Sequence, residues 1–185
     1  MKVLVVIDMQ NDFVYGPLGS PEAKAIVSKV VEKVRDYKKN EARVIFTQDT
    51  HYDDYLNTRE GKFLPVEHCI KGTEGWRVIP ALFEENKPIF VFNKFTFGST
   101  DLANFIQEMY YDCYETEEQI TEVELVGVCT DICVASNALL LKAYCPELKI
   151  IVDASCCAGV TPEKHKAALE VMRSCQIEVI NEEEN

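Results

Sequence analysis

Three side chains far apart in the sequence, Asp8, Lys94 and Cys133, form a chemically complementary set. A carboxylate can accept and return a proton, a cysteine sulfur can attack an electrophilic carbon, and an ammonium beside that sulfur favours its anion. Each stands at the end of a short apolar run: Asp8 after KVLVVI (2–7), Lys94 after PIFVFN (88–93), and Cys133 just beyond VELVGV (123–128), in company with Cys129, Thr130 and Asp131. A fourth run, RVIFTQ (43–48), ends at Asp49 and His51. Residues i and i+2 of extended chain share a face, so Asp49 and His51 point to one side. Imidazole with carboxylate suits zinc, iron or manganese. Polar residues also begin ordinary loops, and histidines serve in turns and caps. That accounts for any one of these positions, but poorly for an acid, an amine and a thiol at three strand ends.

The elements that must position them follow from periodicity. The four runs, with LKIIV (148–152) and residues 177–180, read as short strands bounded by polar residues. Ala23, Ile26, Val27, Val30, Val31 and Val34 recur at helical spacing over 22–39, with Pro21 near the start. Helices are also expected over 101–110, capped by Ser99 or Thr100, over 131–144, and from Thr161-Pro162-Glu163 to about Ser174. Continuous apolar strands alternating with helices predict an α/β fold, a three-layer α/β/α sandwich around a mainly parallel sheet of about six strands. One domain is expected over residues 1–185, with 49–87 as a long polar loop of functional character. In such sheets ligands bind outside the carboxyl ends of the strands, where the reactive residues fall.

Composition narrows the field. The 185 residues are 47% hydrophobic and carry a formal net charge of −12. An acidic chain lacks the basic patch that nucleic acid or an anionic membrane surface requires, so neither is expected as a partner. MKVLVVIDMQ is charged and then apolar, but the apolar stretch stops at Asp8 without a small-residue cleavage site, which predicts a buried strand in a cytoplasmic protein. Glu182, Glu183 and Glu184 read as a solvated tail. Among the eight cysteines, Cys129, Cys133, Cys145 and Cys175 read as reduced thiols, adjacent Cys156 and Cys157 do not bridge to each other, and no spacing suits a structural thiolate zinc.

At this level the motifs become specific. VVIDMQNDF (5–13), KFTFGST (94–100), GVCTDICV (127–134), Asp49–His51 and PVEHCIKGT (65–73) resemble, in order, the motifs of the nicotinamidase and isochorismatase-like cysteine hydrolases. The resemblance covers nearly the whole chain. It implies hydrolysis of a small-molecule amide, with nicotinamide favoured, through a thioester on Cys133, with Asp8 as acid–base and Lys94 as the cation. It implies an oxyanion hole of backbone N–H groups around Cys129 and Cys133, a cis peptide at Val128–Cys129, and a substrate pocket involving Phe13 and Cys129. It further implies one divalent transition metal, zinc first and iron or manganese next, on Asp49, His51 and His68, with Glu60 as the loosest assignment. Cys133 is expected at a helix start, where the dipole would lower its pKa. His165, among charges in the last helix, is expected at the surface. The family's tendency to oligomerise leaves a homo-oligomer open, and no stripe of the sequence marks an interface.

Several departures and alternatives bear on this reading. Many nicotinamidases carry a tryptophan shortly before the loop histidine, where this chain has Phe63-Leu64-Pro65, with Trp76 only later and Glu67 as an added residue. A haloacid-dehalogenase-like phosphatase would need an acid in place of Gln10, a cysteine phosphatase an arginine after Cys133, and a nucleotide-binding turn glycines after the first strand. The remaining alternatives are an isochorismatase-like or other C–N hydrolase acting on a different small molecule, and a non-catalytic member of the fold.

Overall fold

The computed structural model describes residues 1–83, 90–113, 116 and 119–182. Six strands, β1 (Lys2–Ile7), β2 (Arg43–Asp49), β3 (Phe90–Lys94), β4 (Glu122–Val128), β5 (Lys149–Ala158) and β6 (Glu178–Ile180), form one sheet in the order β3-β2-β1-β4-β5-β6. Every pairing is parallel, so the expectation of a mainly parallel sheet tightens to a wholly parallel one among the described strands. The cause is connectivity: each strand is followed by a helical or long crossover, and no two strands are joined by a tight hairpin.

Among the described residues there are seven α-helices: α1 (Asn11–Val14), α2 (Pro21–Ala25), α3 (Val27–Lys39), α4 (Arg59–Phe63) in the long loop, α5 (Thr100–Tyr111), α6 (Ala135–Tyr144) and α7 (Pro162–Ser174). Strand alternation divides the core. Val3, Val5 and Ile7 face Leu102 and Ile106 of α5, Ala138 and Leu141 of α6, and Leu169 and Met172 of α7. Leu4 and Val6 face Ala23 of α2, Val30 and Val34 of α3, and Ile79 and Leu82 of the loop before β3. The result is three layers. Side-chain caps set the starts of α2, α5 and α7, where the Ser20, Ser99 and Thr161 hydroxyls accept from Ala23, Leu102 and Lys164 N–H groups.

The main boundary differences from expectation are these. The helix over 22–39 is broken at Ile26 into α2 and α3, and α1 was too short to leave a periodic signal. β5 runs on to Ala158, because Cys156, Cys157 and Ala158 continue its buried pairing beside β4. Lys94 is the last residue of β3, whose expected first residues Pro88 and Ile89 lie outside the described residues, as do loop residues 84–87 and the tail's Glu183 and Glu184. The chain after β4 enters a π-helical turn, Thr130–Val134, before α6 begins. No described helix is long and apolar enough to cross a membrane.

Candidate active site

β1 pairs β2 on one side and β4 on the other, so chain direction across the sheet reverses between β1 and β4. A crevice opens at such a switch point, beyond the carboxyl ends. Asp8 directly follows β1 there, Lys94 closes β3, and the π-helical turn after β4 carries Cys133. Two backbone features allow the close approach. Asp8 takes a left-handed φ of 47°, and Gly127 has a φ of 118° with room for no side chain, since a Cβ would lie 2.1 Å from the Ile7 carbonyl oxygen. The Val128–Cys129 peptide is cis, as the motif implied.

The three chemical groups meet. Lys94 Nζ lies 2.7 Å from Asp8 Oδ2, 3.2 Å from Asp49 Oδ1 and 3.4 Å from Cys133 Sγ, with all four residues buried. Asp8 Oδ1 accepts the Thr47 hydroxyl at 2.6 Å, while Oδ2 has charge contact with Lys94 but no well-directed hydrogen bond. That oxygen therefore retains capacity to accept a proton. Burial pushes the Cys133 thiol well up, the nearby Asp8 carboxylate pushes it further, and Lys94 only partly offsets them. The sequence expectation of a lowered pKa is thus reversed for the resting site. Cys133 does stand in the first helical turn after the cap at Cys129, but desolvation of its buried sulfur outweighs the helix dipole. Burial raises Asp8 too, against the pull of Lys94. The resting arrangement is a thiol beside a basic carboxylate, with Lys94 firmly charged.

A second cluster adjoins the first. Ligand atoms of Asp49, His51, Glu60 and His68 all lie within 4.8 Å of one another. Asp49 Oδ2 is 2.9 Å from His51 Nε2 and 3.6 Å from His68 Nε2, and Glu60 Oε1 is 3.7 and 3.9 Å from the same nitrogens. Burial alone would raise Asp49, but hydrogen bonds from His51 and His68 and the charge of Lys94 hold it far below the usual carboxylate range. The His68 ring is oriented by Val66, whose carbonyl lies 2.8 Å from Nδ1, leaving Nε2 toward the cluster. Two imidazoles and two carboxylates converging on one point fit a divalent transition metal.

Between the clusters lies a cavity of about 380 Å³ lined by Phe13, Asp49, Glu60, His68, Cys129 and Cys133, with Phe63, Phe97 and Val160 at its wall. The Phe13 ring centroid is 5.4 Å from that of His68. Of the sequence-predicted site residues, Phe13, Asp49, Glu60, His68, Cys129 and Cys133 line this space, while Lys94 contacts Cys133, Asp8 contacts Lys94 and His51 contacts Asp49.

The structure adds positioning residues that the motifs alone did not reveal. Gln10, fully buried, donates to the Asp49 and Trp76 carbonyls at 2.9 and 2.7 Å and accepts from the Asp49 N–H at 2.7 Å. Asn137 accepts from Ser99 N–H and donates to the Phe97 and Cys133 carbonyls, joining the loop after Lys94 to the turn that carries Cys133. Asp12 accepts the Cys69 N–H at 2.8 Å and so fixes the segment after His68. The signal available in sequence was a polar residue inside an apolar stretch, which at Gln10 and Asn137 means a buried group with fixed partners. His165 is the one misplaced residue. It is half-buried, with Nδ1 2.8 Å from the Thr130 hydroxyl, because α7 packs its first turns against the Thr130–Val134 turn.

The Isochorismatase domain matches residues 2–184 of the chain. The chain belongs to the isochorismatase family. Among relatives in that family, an isochorismatase-family protein of Bacillus subtilis is 32% identical, over 91% of this chain and 92% of its own. The nicotinamidase/pyrazinamidase of Mycobacterium tuberculosis is 28% identical, over 97% and 98% respectively. Of solved structures, the pyrazinamidase of Pyrococcus horikoshii in complex with zinc superposes with a TM-score of 0.81 at 26% identity, covering 98% of this chain and 99% of that one.

Proposed function

We propose that this isochorismatase-family chain is a cysteine amidohydrolase that converts nicotinamide to nicotinate and ammonia. The observation that carries the reading is the junction of two clusters on one carboxylate. Asp49 belongs to the four-ligand group and contacts Lys94, which contacts both Asp8 and Cys133. A flat ring carboxamide with one ring nitrogen has two ends, and the cavity offers a partner for each.

The steps follow from the buried triad. Cys133 Sγ attacks the carboxamide carbon while its proton passes to Asp8, whose raised basicity suits that transfer at neutral pH. Lys94 stabilises the sulfur as negative charge develops and holds the Asp8 carboxylate in place. Backbone N–H groups of Cys129 and Cys133 receive the developing oxyanion. Asp8 returns its proton to the departing nitrogen, so ammonia leaves and a thioester remains. Water then gives a proton to Asp8 and its oxygen to the acyl carbon. The thioester C–S bond breaks, nicotinate is released, and the proton returns to Cys133. Asp49, His51, Glu60 and His68 would hold a divalent metal, zinc before iron or manganese, which supplies a Lewis-acidic anchor for the ring nitrogen. Phe13 presents its ring to the same space, a positioning contribution of the kind that aligns reacting atoms.

Ammonia release from a panel of nicotinamide, pyrazinamide and aliphatic amides, with and without chelator, tests the reading. Turnover of the two ring amides with loss on chelation is expected; turnover confined to aliphatic amides would overturn the substrate assignment. A second reading, another small-amide C–N hydrolase, is favoured by one feature: Phe63, on the cavity wall, is 79% exposed and leaves the mouth open to larger groups.

A further inference from the structure

The turn that carries the nucleophile is held from behind by α7. Thr130, fully buried, has its hydroxyl 2.8 Å from His165 Nδ1. One residue on, Asp131 Oδ1 accepts the Val160 N–H at 2.8 Å. The packing between these two ties is tight: a Cβ placed on Gly159 would lie 2.9 Å from His165 Cβ and 3.0 Å from Asp131 Oδ1. The Cys129 carbonyl, directly before Thr130, accepts from Ile132 and Val134 N–H groups at 3.0 and 3.1 Å, so residues 129–134 move as one unit. A displacement at Thr130 is therefore passed to both Cys129 and Cys133.

We propose that His165 is a positioning residue for the nucleophile, fixing through Thr130 the turn that presents Cys133 and the flanking backbone N–H groups. Its role does not require contact with substrate, and it rests on Cys133 being the nucleophile of the function proposed above. The imidazole has access to protons, because it lines a separate cavity of about 320 Å³ on the other side of β5. The charged groups around it are Asp131 from the nucleophile turn, Glu182 from the C-terminal segment, Lys166 on its own helix, and Glu22 and Lys29 across that cavity. Burial lowers the imidazole's pKa, against Glu182 and Asp131, which favours the neutral ring, and in the tautomer protonated at Nε2 its Nδ1 accepts the Thr130 hydroxyl proton. An imidazolium can only donate, and that bond would be lost or reversed.

The test compares wild type, His165→Asn and His165→Phe. It uses two readouts: kcat and KM for ammonia release, and the rate of Cys133 alkylation by iodoacetamide, followed by peptide mass. Alkylation needs no substrate, so it judges His165 even if no amide in the panel is turned over; failure of the panel alone would count against the function. His165→Phe is expected to lower kcat by about ten- to a hundredfold, the scale of a small misplacement of reacting groups, with KM within about twofold. Cys133 alkylation should fall in parallel. His165→Asn, which offers an acceptor and a donor near the position of Nδ1, should recover most of both. Wild type should lose kcat on the acid side as His165 protonates, read independently by NMR, and His165→Asn should lack that inflection. Unchanged kcat and alkylation in His165→Phe would overturn the proposal. Should His165→Phe not fold, an acid limb identical in wild type and His165→Asn would do the same.

Discussion

Replacing Asp8 with asparagine keeps the shape of the side chain and removes its charge and basicity. In the folded protein Lys94 is 2% exposed and has carboxylate oxygens at 2.7 and 3.2 Å. With an effective dielectric of about 20, those separations correspond to gross attractions of about 6 and about 5 kcal/mol, opposed by a desolvation cost of several kcal/mol per ion. Asp8→Asn removes the larger attraction and leaves the cost of burying the ammonium. Breaking a buried pair by removing one partner costs about 3–5 kcal/mol. The retained Asp49 contact, and relief of the carboxylate burial that outweighs the pull of Lys94 on Asp8, bring this variant to the lower end or below, at most about 3 kcal/mol, or a Tm lower by up to about 6–12 °C for a chain of this length. The kinetic loss is larger in proportion, because in the proposed mechanism Asp8 serves in both half-reactions: kcat should fall by about a thousandfold or more, about 4 kcal/mol of barrier. Scanning calorimetry and ammonia release measure the two effects. Asp8→Asn combined with Lys94→Met removes both charges and should recover part of the lost Tm but none of the activity. A single variant with kcat within tenfold of wild type would refute the role of Asp8; a double variant less stable than the two single losses added would refute the electrostatic account.

Other substitutions probe other parts. Cys133→Ala should abolish turnover while circular dichroism stays native, and retained ammonia release would take the nucleophile elsewhere. His51→Ala removes one of four converging ligand groups, and should lower bound metal, measured by mass spectrometry of the purified protein, together with affinity for ring amides; unchanged metal content would contradict the ligand set. Away from the site, burial alone would raise Asp153, but Lys33, Ser155 and Asn181 hold its carboxyl below the usual range. Such a group contributes stability above its unfolded pKa of about 3.9 and loses it as pH falls through the folded value. Lys33→Met should therefore move the acid-unfolding midpoint to higher pH and lower stability at neutrality, the two proteins converging in strong acid. Gly127→Ala should destabilise strongly, by thermal melt, since its Cβ would overlap the Ile7 carbonyl.

The strands were legible because each is a near-continuous apolar run, the pattern of a sheet covered on both faces, and the motif residues at their ends were legible for the same reason. What escaped was set by contacts between distant segments. Hydrophobic periodicity does not distinguish a π-helical turn from the first turn of an α-helix, and it does not show that burial of Cys133 outweighs the helix dipole there. The pKa of the Cys133 thiol depends on burial in the core it shares with α5 and β1 and on Asp8, all distant from it in sequence. His165 looked solvated because its neighbours Lys164 and Lys166 are charged, yet a helix has two faces and this residue lies on the inner one. Gln10 and Asn137 were passed over because their partners are backbone groups, which sequence motifs do not name.

The β1–β4 pairing joins Lys2 to Glu122 and Ile7 to Gly127, so the centre of the sheet is the seam that spans the longest stretch of sequence. Until more than a hundred further residues have emerged, the inner edge of VLVVI has no neighbour on one side, an apolar ribbon open to any passing strand. Recovery of activity after dilution from denaturant should accordingly be slow for a chain of this size and sensitive to protein concentration, whereas the α3-covered β1–β2 unit can assemble early from nearby sequence.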